Sequence, residues 1–189
     1  YQSHMKGVAA YEAGYFAQEL LPVEVEIDGQ KVLHDRDEGL RANASLEAMK
    51  NLKTLVEGGL MTAATSSQIC DGAAAVMIAS ERAVKQYGLK PLARIAEMSV
   101  CGSDPEMVLE GPIPATQKLL ARCGVSINDI SVYEVNEAFG SVPLAWAKAL
   151  GADINKLNVN GGAQALGHPL GATGAKLMAT LVYELRRRG

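Results

Sequence analysis

Asn158-Val-Asn-Gly-Gly-Ala-Gln-Ala-Leu-Gly-His-Pro-Leu-Gly-Ala-Thr-Gly174 is the stretch that decides the fold. It holds five glycines, one proline and one histidine, His168. A short apolar run, Leu157 to Val159, leads in, and a helical pattern from Ala175 to Leu185 leads out. The order reads as a strand, a glycine-rich turn and a helix N-terminus. Backbone of that kind presents a histidine in a way few residues other than glycine permit. Helix N-terminal N–H groups beside it favour an anion or a developing negative charge. The spacing fits no nucleotide motif. Gly161-Gly162 are adjacent and His168-Pro169 interrupts a dinucleotide fingerprint, while no Gly-Lys-Ser/Thr follows to make a P-loop. On spacing alone, a histidine at such a turn is more often structural than catalytic.

Upstream, Ile130 to Val135 reads as a strand ending in Asn136-Glu137, followed by a helix over Ala138 to Leu150 that closes at Gly151. Ala73 to Ile78 and Leu92 to Val100 read as further buried strands. Ser80 and Gly88 bracket a helix, Ala115 to Arg122 forms another, and Ser126 with Asp129 resembles a capping box. Strands and helices alternate from Ala73 onward, which is an α/β layered pattern. The last helix, Ala175 to Arg188, is expected to bury Leu177, Leu181, Val182 and Leu185 and to end in solvated arginines.

Residues before Ala73 differ in kind. Ser3 to Leu20 reads as a helix stopped by Pro22. Val23, Val25 and Ile27 alternate with acids, as in a half-buried strand, and Asp28-Gly29 signals a hairpin returning through Lys31 to Leu33. Asp35 to Glu38 reads as a solvated acidic stretch, and Ser45 as the cap of a short helix. Thr62-Ala-Ala-Thr-Ser-Ser-Gln-Ile-Cys-Asp-Gly72 reads as a hydroxyl-rich turn. No internal repeat is visible.

Asn-Gly-Gly-Ala followed by Gly-His-Pro-x-Gly-Ala-Thr-Gly resembles the second signature of the thiolase family, the acyl-CoA acetyltransferases. Val135-Asn136-Glu137-Ala138-Phe139 resembles that family's Asn-Glu-Ala-Phe motif, and the two motifs stand in the family's order. The resemblance implies an α/β/α/β/α sandwich built from two similar halves. Residues 1–70 would belong to the loop domain that covers coenzyme A, and residues 71–189 to the C-terminal half without its last strands. It implies a transferase that cleaves 3-oxoacyl-CoA thiolytically or joins acyl-CoA molecules by Claisen condensation, as in fatty-acid β-oxidation. Coenzyme A enters as a substrate, no resident cofactor is needed, and a homodimer or homotetramer is the expected assembly.

The resemblance also assigns roles. His168 would serve as base and enolate-stabilising donor, and Asn136 would order a water, although a helix N-cap is the commoner use of Asn at such a junction. Ala138 and Phe139 would wall the acyl or pantetheine tunnel. Ser67 matches the family's pantetheine-binding serine, with Ser66 beside it as the competing choice. Arg41 loosely matches a CoA-binding arginine; an exposed arginine among acids is otherwise only a solvated charge. Glu137 reads as a first-turn carboxylate supporting the helix dipole.

The family's nucleophilic cysteine and its second cysteine fall outside these residues, so the chain alone is expected to be inactive. Two other readings remain open at this point. One is a ketoacyl-synthase-like condensing enzyme, which would lack Asn-Glu-Ala-Phe. The other is a non-catalytic CoA-binding fragment or partner subunit.

Composition narrows the classes further. Net charge is −3 and aromatics are 5%, so nothing favours nucleic acid or an anionic membrane. No apolar run has the length of a membrane span. Cys70, Cys101 and Cys123 are scattered and odd in number, which suggests neither a disulfide framework nor a metal site, with Cys101 and Cys123 read as buried fillers. A reducing cytoplasmic or organelle-matrix compartment is the simplest expectation.

Overall fold

The computed structural model describes residues 1–189. Seven α-helices and one hairpin follow in order: α1 (Gln2–Glu12), β1 (Val23–Ile27), β2 (Gln30–His34), α2 (Leu46–Lys50), α3 (Glu81–Tyr87), α4 (Pro112–Cys123), α5 (Ser141–Leu150), α6 (Ala163–Leu166) and α7 (Thr173–Arg188). The hairpin pairs Val23 with His34 through to Ile27 with Gln30. Asp28 and Gly29 both take positive φ, 51° and 76°, the two-residue turn that Asp-Gly favours. Ser45 caps α2 and Ser80 caps α3, each accepting the N–H three residues on, and α3 ends on left-handed Gly88.

Two small cores hold the molecule. In the first, Tyr133, Val135 and Leu157 pack on Trp146 and Ala147 of α5. The segments holding Tyr133 and Leu157 lie parallel: Tyr133 N–H donates to Lys156 and Asn158 N–H donates back to Tyr133. Trp146 Nε1 reaches Thr116 of α4 at 2.9 Å, so its buried polar atom is satisfied. In the second core, Ala10 and Phe16 pack on Ala165 and Leu166 of α6. This core seats the N-terminal helix directly on the glycine-rich turn.

Several expectations from the sequence are corrected. The first helix stops at Glu12 rather than running to Leu20, because Gly14 turns left-handed and the chain continues as turns that still bury Phe16. The hairpin is exposed on both faces, not half-buried; Leu33 is 57% exposed. Residues 73–78 and 92–100 form no ladder, and Met77, Ile78, Met98 and Val100 lie exposed. A strand requires a partner, and no segment of this chain pairs with either. Helix α5 begins at Ser141 because the bridge between Ser66 and Phe139 takes up the backbone just before it, with Gly140 as the helix N-cap.

The buried face of α7 is polar: Thr173, Thr180 and Glu184 are buried, whereas Leu185 is exposed and Leu177, Leu181 and Val182 are only partly covered. Its terminal arginines are also engaged. Arg187 and Arg188 both donate to Glu184 at 2.6 Å, and Arg187 lies over the Tyr15 ring. Burial pushes the Glu184 carboxyl up, but the hydrogen bonds from Arg187, Asn160 and Arg188 outweigh it and leave its pKa below the usual value. Asp37, expected in solvent, accepts from Tyr11 and from Lys176. Cys123 is exposed and Cys101 half-buried, so neither fills a core.

Candidate active site

Asn136 and Glu137 are adjacent on one segment, and their side chains part. Asn136 turns toward the glycine-rich loop's histidine, its Nδ2 3.4 Å from His168 Nε2. Asn136 does not cap α5, whose N-cap position is Gly140. Its Oδ1 is buried and receives no hydrogen bond from the protein, which leaves that acceptor for a hydrogen of a ligand or water.

The opposite nitrogen of the imidazole meets Thr173. His168 Nδ1 is 2.7 Å from Thr173 Oγ1, and that hydroxyl donates its one hydrogen to the Pro169 carbonyl at 2.9 Å. With that hydroxyl hydrogen committed to Pro169, the matching tautomer is the one in which Nδ1 donates to Thr173. Nε2 is left with its lone pair facing Asn136, whose amide N–H is the complementary group. In that tautomer Nε2 is the basic nitrogen, and it can take a proton when a thiol or substrate replaces the 3.4 Å Asn136 contact. Thr173 is buried at the start of α7, so the helix fixes the imidazole that it begins beside.

Three stretches that the sequence singles out meet here. The Ser67 N–H donates to the Ala138 carbonyl at 2.9 Å, and Gly140 N–H donates to Thr65, which makes a short antiparallel bridge centred on Ser66 and Phe139. One residue further on, the Gln68 carbonyl accepts from His168 N–H at 3.0 Å. The hydroxyl-rich turn thus lies between the Asn-Glu-Ala-Phe segment and the histidine loop. The Ser66 hydroxyl is used locally, donating to the Thr62 carbonyl at 3.1 Å. Arg41 is exposed, its backbone N–H donates to His4, and no hydrogen bond or ion pair ties its guanidinium to the site. Burial lowers the His4 pKa, and the Arg41 charge adds to the effect.

Glu137 is corrected. It does not serve the dipole of α5. It is buried and accepts from Ser3 Oγ at 2.7 Å, Asn158 Nδ2 at 2.9 Å and Gln164 N–H at 3.1 Å. Gly162 packs so closely on this carboxylate that any side-chain carbon would overlap it. Asn158, missed by sequence reasoning, takes an unusual positive φ of 45° and pairs with both backbone groups of Val135, at 2.8 Å each. The signal available for it was an Asn opening a turn, a residue that tolerates left-handed backbone.

Cys70 is exposed, and its sulfur lies against Gly167, where an added Cβ would fall 2.5 Å from it. A cavity of about 530 Å³ lies between the turns after α1 and helix α7, lined by Glu19, Asn160, Thr180 and Glu184 among others, and includes no residue expected at the site.

The family descriptions "Thiolase, N-terminal domain" and "Thiolase, C-terminal domain" match residues 1–82 and 89–189. The chain belongs to the thiolase family. It is 54% identical to the steroid 3-ketoacyl-CoA thiolase FadA6 of Mycobacterium tuberculosis, covering 99% of this chain and 45% of that one. Its structure is similar to human mitochondrial 3-ketoacyl-CoA thiolase in complex with CoA, with a TM-score of 0.93 at 46% identity over 100% of this chain and 47% of that one. It is similar also to the acetyl-CoA acetyltransferase of Bacillus anthracis, with a TM-score of 0.94 at 40% identity over 99% of this chain and 48% of that one. The α/β thiolase fold expected from the sequence is thereby shown. The chain spans about half the length of the curated relatives it matches. No helix is long and apolar enough to cross a membrane.

Proposed function

We propose that the protein carrying this chain is a thiolase-type acyl-CoA acyltransferase. It cleaves a 3-oxoacyl-CoA with coenzyme A, or runs the reverse Claisen condensation. The observation that carries the reading is the meeting of Asn136 with His168 Nε2 while Thr173 holds Nδ1. His168 Nε2 takes the proton of a thiol, and the thiolate attacks the substrate carbonyl. As negative charge moves onto the substrate oxygen, the imidazolium and a water bound to Asn136 donate to it. Coenzyme A is a substrate in this reading, and no resident cofactor takes part.

The nucleophilic cysteine is supplied from outside these residues. Cys70, Cys101 and Cys123 stand in neither thiolase motif, so this chain alone gives no thiolysis. Ser67 is the pantetheine contact, supported by its seat beside Ala138 and Phe139, which wall the tunnel. Arg41 is the further contact to coenzyme A, supported by an exposed and unpaired guanidinium. The assembly is a homodimer or homotetramer, and three unbridged thiols suit a cytoplasmic or organelle-matrix setting.

The test is thiolysis of acetoacetyl-CoA and a longer 3-oxoacyl-CoA by the full-length protein. Turnover of either is expected, and Ser67→Ala should raise KM more than it lowers kcat. A full-length protein that binds coenzyme A but turns over neither substrate would overturn the assignment.

A further inference from the structure

The buried carboxylate of Glu137 joins three parts of the chain that are remote in sequence. Ser3 of α1, 134 residues away, donates to Oε2 and in turn accepts from Gly162 N–H at 2.9 Å. Gln164 at the start of α6 donates its backbone N–H to the same oxygen, and its side-chain amide donates to the Glu137 carbonyl at 3.0 Å. Asn158 donates to Oε1 and also grips Val135. The backbone on both sides of Asn136 is therefore tied to the loop that ends, four residues after Gln164, in His168. No cation pairs with this carboxylate; three neutral donors hold it.

We propose that Glu137 is a positioning residue: its carboxylate sets the separation and orientation of Asn136 and His168 by clamping their two segments, together with Ser3, into one rigid unit. The inference rests on the thiolase reading above and extends it to residues outside the reacting groups.

The clamp has no neutral equivalent. In Glu137→Gln, one end of the side chain becomes an NH₂ group that must face either Asn158 Nδ2 or the Ser3 and Gln164 donors. Asn158 cannot turn its amide to compensate, because its Oδ1 and Nδ2 are both committed to Val135. One donor–donor contact is unavoidable, and the two segments must separate to relieve it.

The test uses the full-length protein. Glu137→Gln is expected to lower kcat at least about tenfold while KM for the acyl-CoA stays within about twofold, since no side chain that contacts substrate is replaced. Glu137→Asp, which keeps the charge, should recover part of the loss. In a His168→Ala background the same Glu137→Gln change should cost less than about twofold, because the geometry it protects is already gone. If Glu137→Gln fails to fold, Ser3→Ala removes one donor without creating a donor–donor contact and should lower kcat severalfold at unchanged KM.

A lowered melting temperature with normal kcat in the folded fraction would overturn the proposal. So would an equal loss in the His168→Ala background. If His168→Ala and Asn136→Ala themselves leave kcat normal, the functional reading fails and this inference falls with it. If they abolish turnover and Glu137→Gln does not, only this inference falls.

Discussion

The site region and the segment from residue 71 to 103 are opposites. Around Asn136 and His168 the polar side chains of Glu137, Asn158, Asn160, Thr173 and Glu184 are buried beside apolar ones such as Val135 and Leu166. From residue 71 to 103 the apolar ones are exposed, with Met77 at 80% and Val100 at 85%. Backbone shape near the site is fixed by directional hydrogen bonds between remote residues. The other segment has the composition of a core strand but neither ladder nor cover. The contrast teaches that apolar content alone does not locate the buried part of this chain; hydrogen bonds between remote residues mark it.

Substitutions at two glycines should break or sharpen that contrast most strongly. Gly162→Ala drives a methyl group into the clamped Glu137 carboxylate and should cost about 1–3 kcal/mol, read as a lower denaturation midpoint at unchanged m-value. Gly102→Ala, in the opposite region, meets nothing within 4 Å and should stay within about 0.5 kcal/mol. Equal costs at the two positions would remove the distinction.

A pH scan tests the buried carboxylates of the site region without any substitution. Glu134, two residues before Asn136, has an unpartnered Oε1, and burial, followed by the charges of Glu137, Glu19 and Glu184, pushes its pKa from 4.5 up to about 8. Burial likewise pushes Glu19 up to about 7. Between pH 5 and pH 8 the folded chain holds protons that the unfolded chain has released. Stability is therefore fully present at the acid end of that window and falls as pH rises, by at most about 1.4 kcal/mol per pH unit for each whole proton. Melting temperatures should decline from pH 5 to pH 8, and Glu134→Gln should flatten the decline. A rise over the same window would contradict the burial of these carboxylates.

Much of this was legible beforehand where the determinant was local. Asp28-Gly29 specified its turn, Ser80 and Gly88 bounded α3, and Ser126 with Asp129 formed the expected capping box. The Asn136–His168 meeting was legible from two motifs together, though neither alone implied it. Features that depend on remote partners were not legible. Glu137 looked like a first-turn acid because its donors lie 134, 21 and 27 residues away. The buried side of α7 was misassigned because Arg187, Arg188 and Asn160 make burial of Glu184 favourable, which apolar periodicity cannot reveal. Residues 73–78 and 92–100 read as buried strands because their composition suits a core, but composition does not supply a partner.

The most direct test of the central claim is single-turnover acylation by the full-length protein carrying His168→Ala, with its melting temperature measured on the same sample. If Nε2 is the base that Thr173 and Asn136 hold in place, acylation should slow at least about a hundredfold while the melting temperature moves by only a few degrees. Near-normal acylation, or slow acylation explained by a large loss of folded protein, would contradict it.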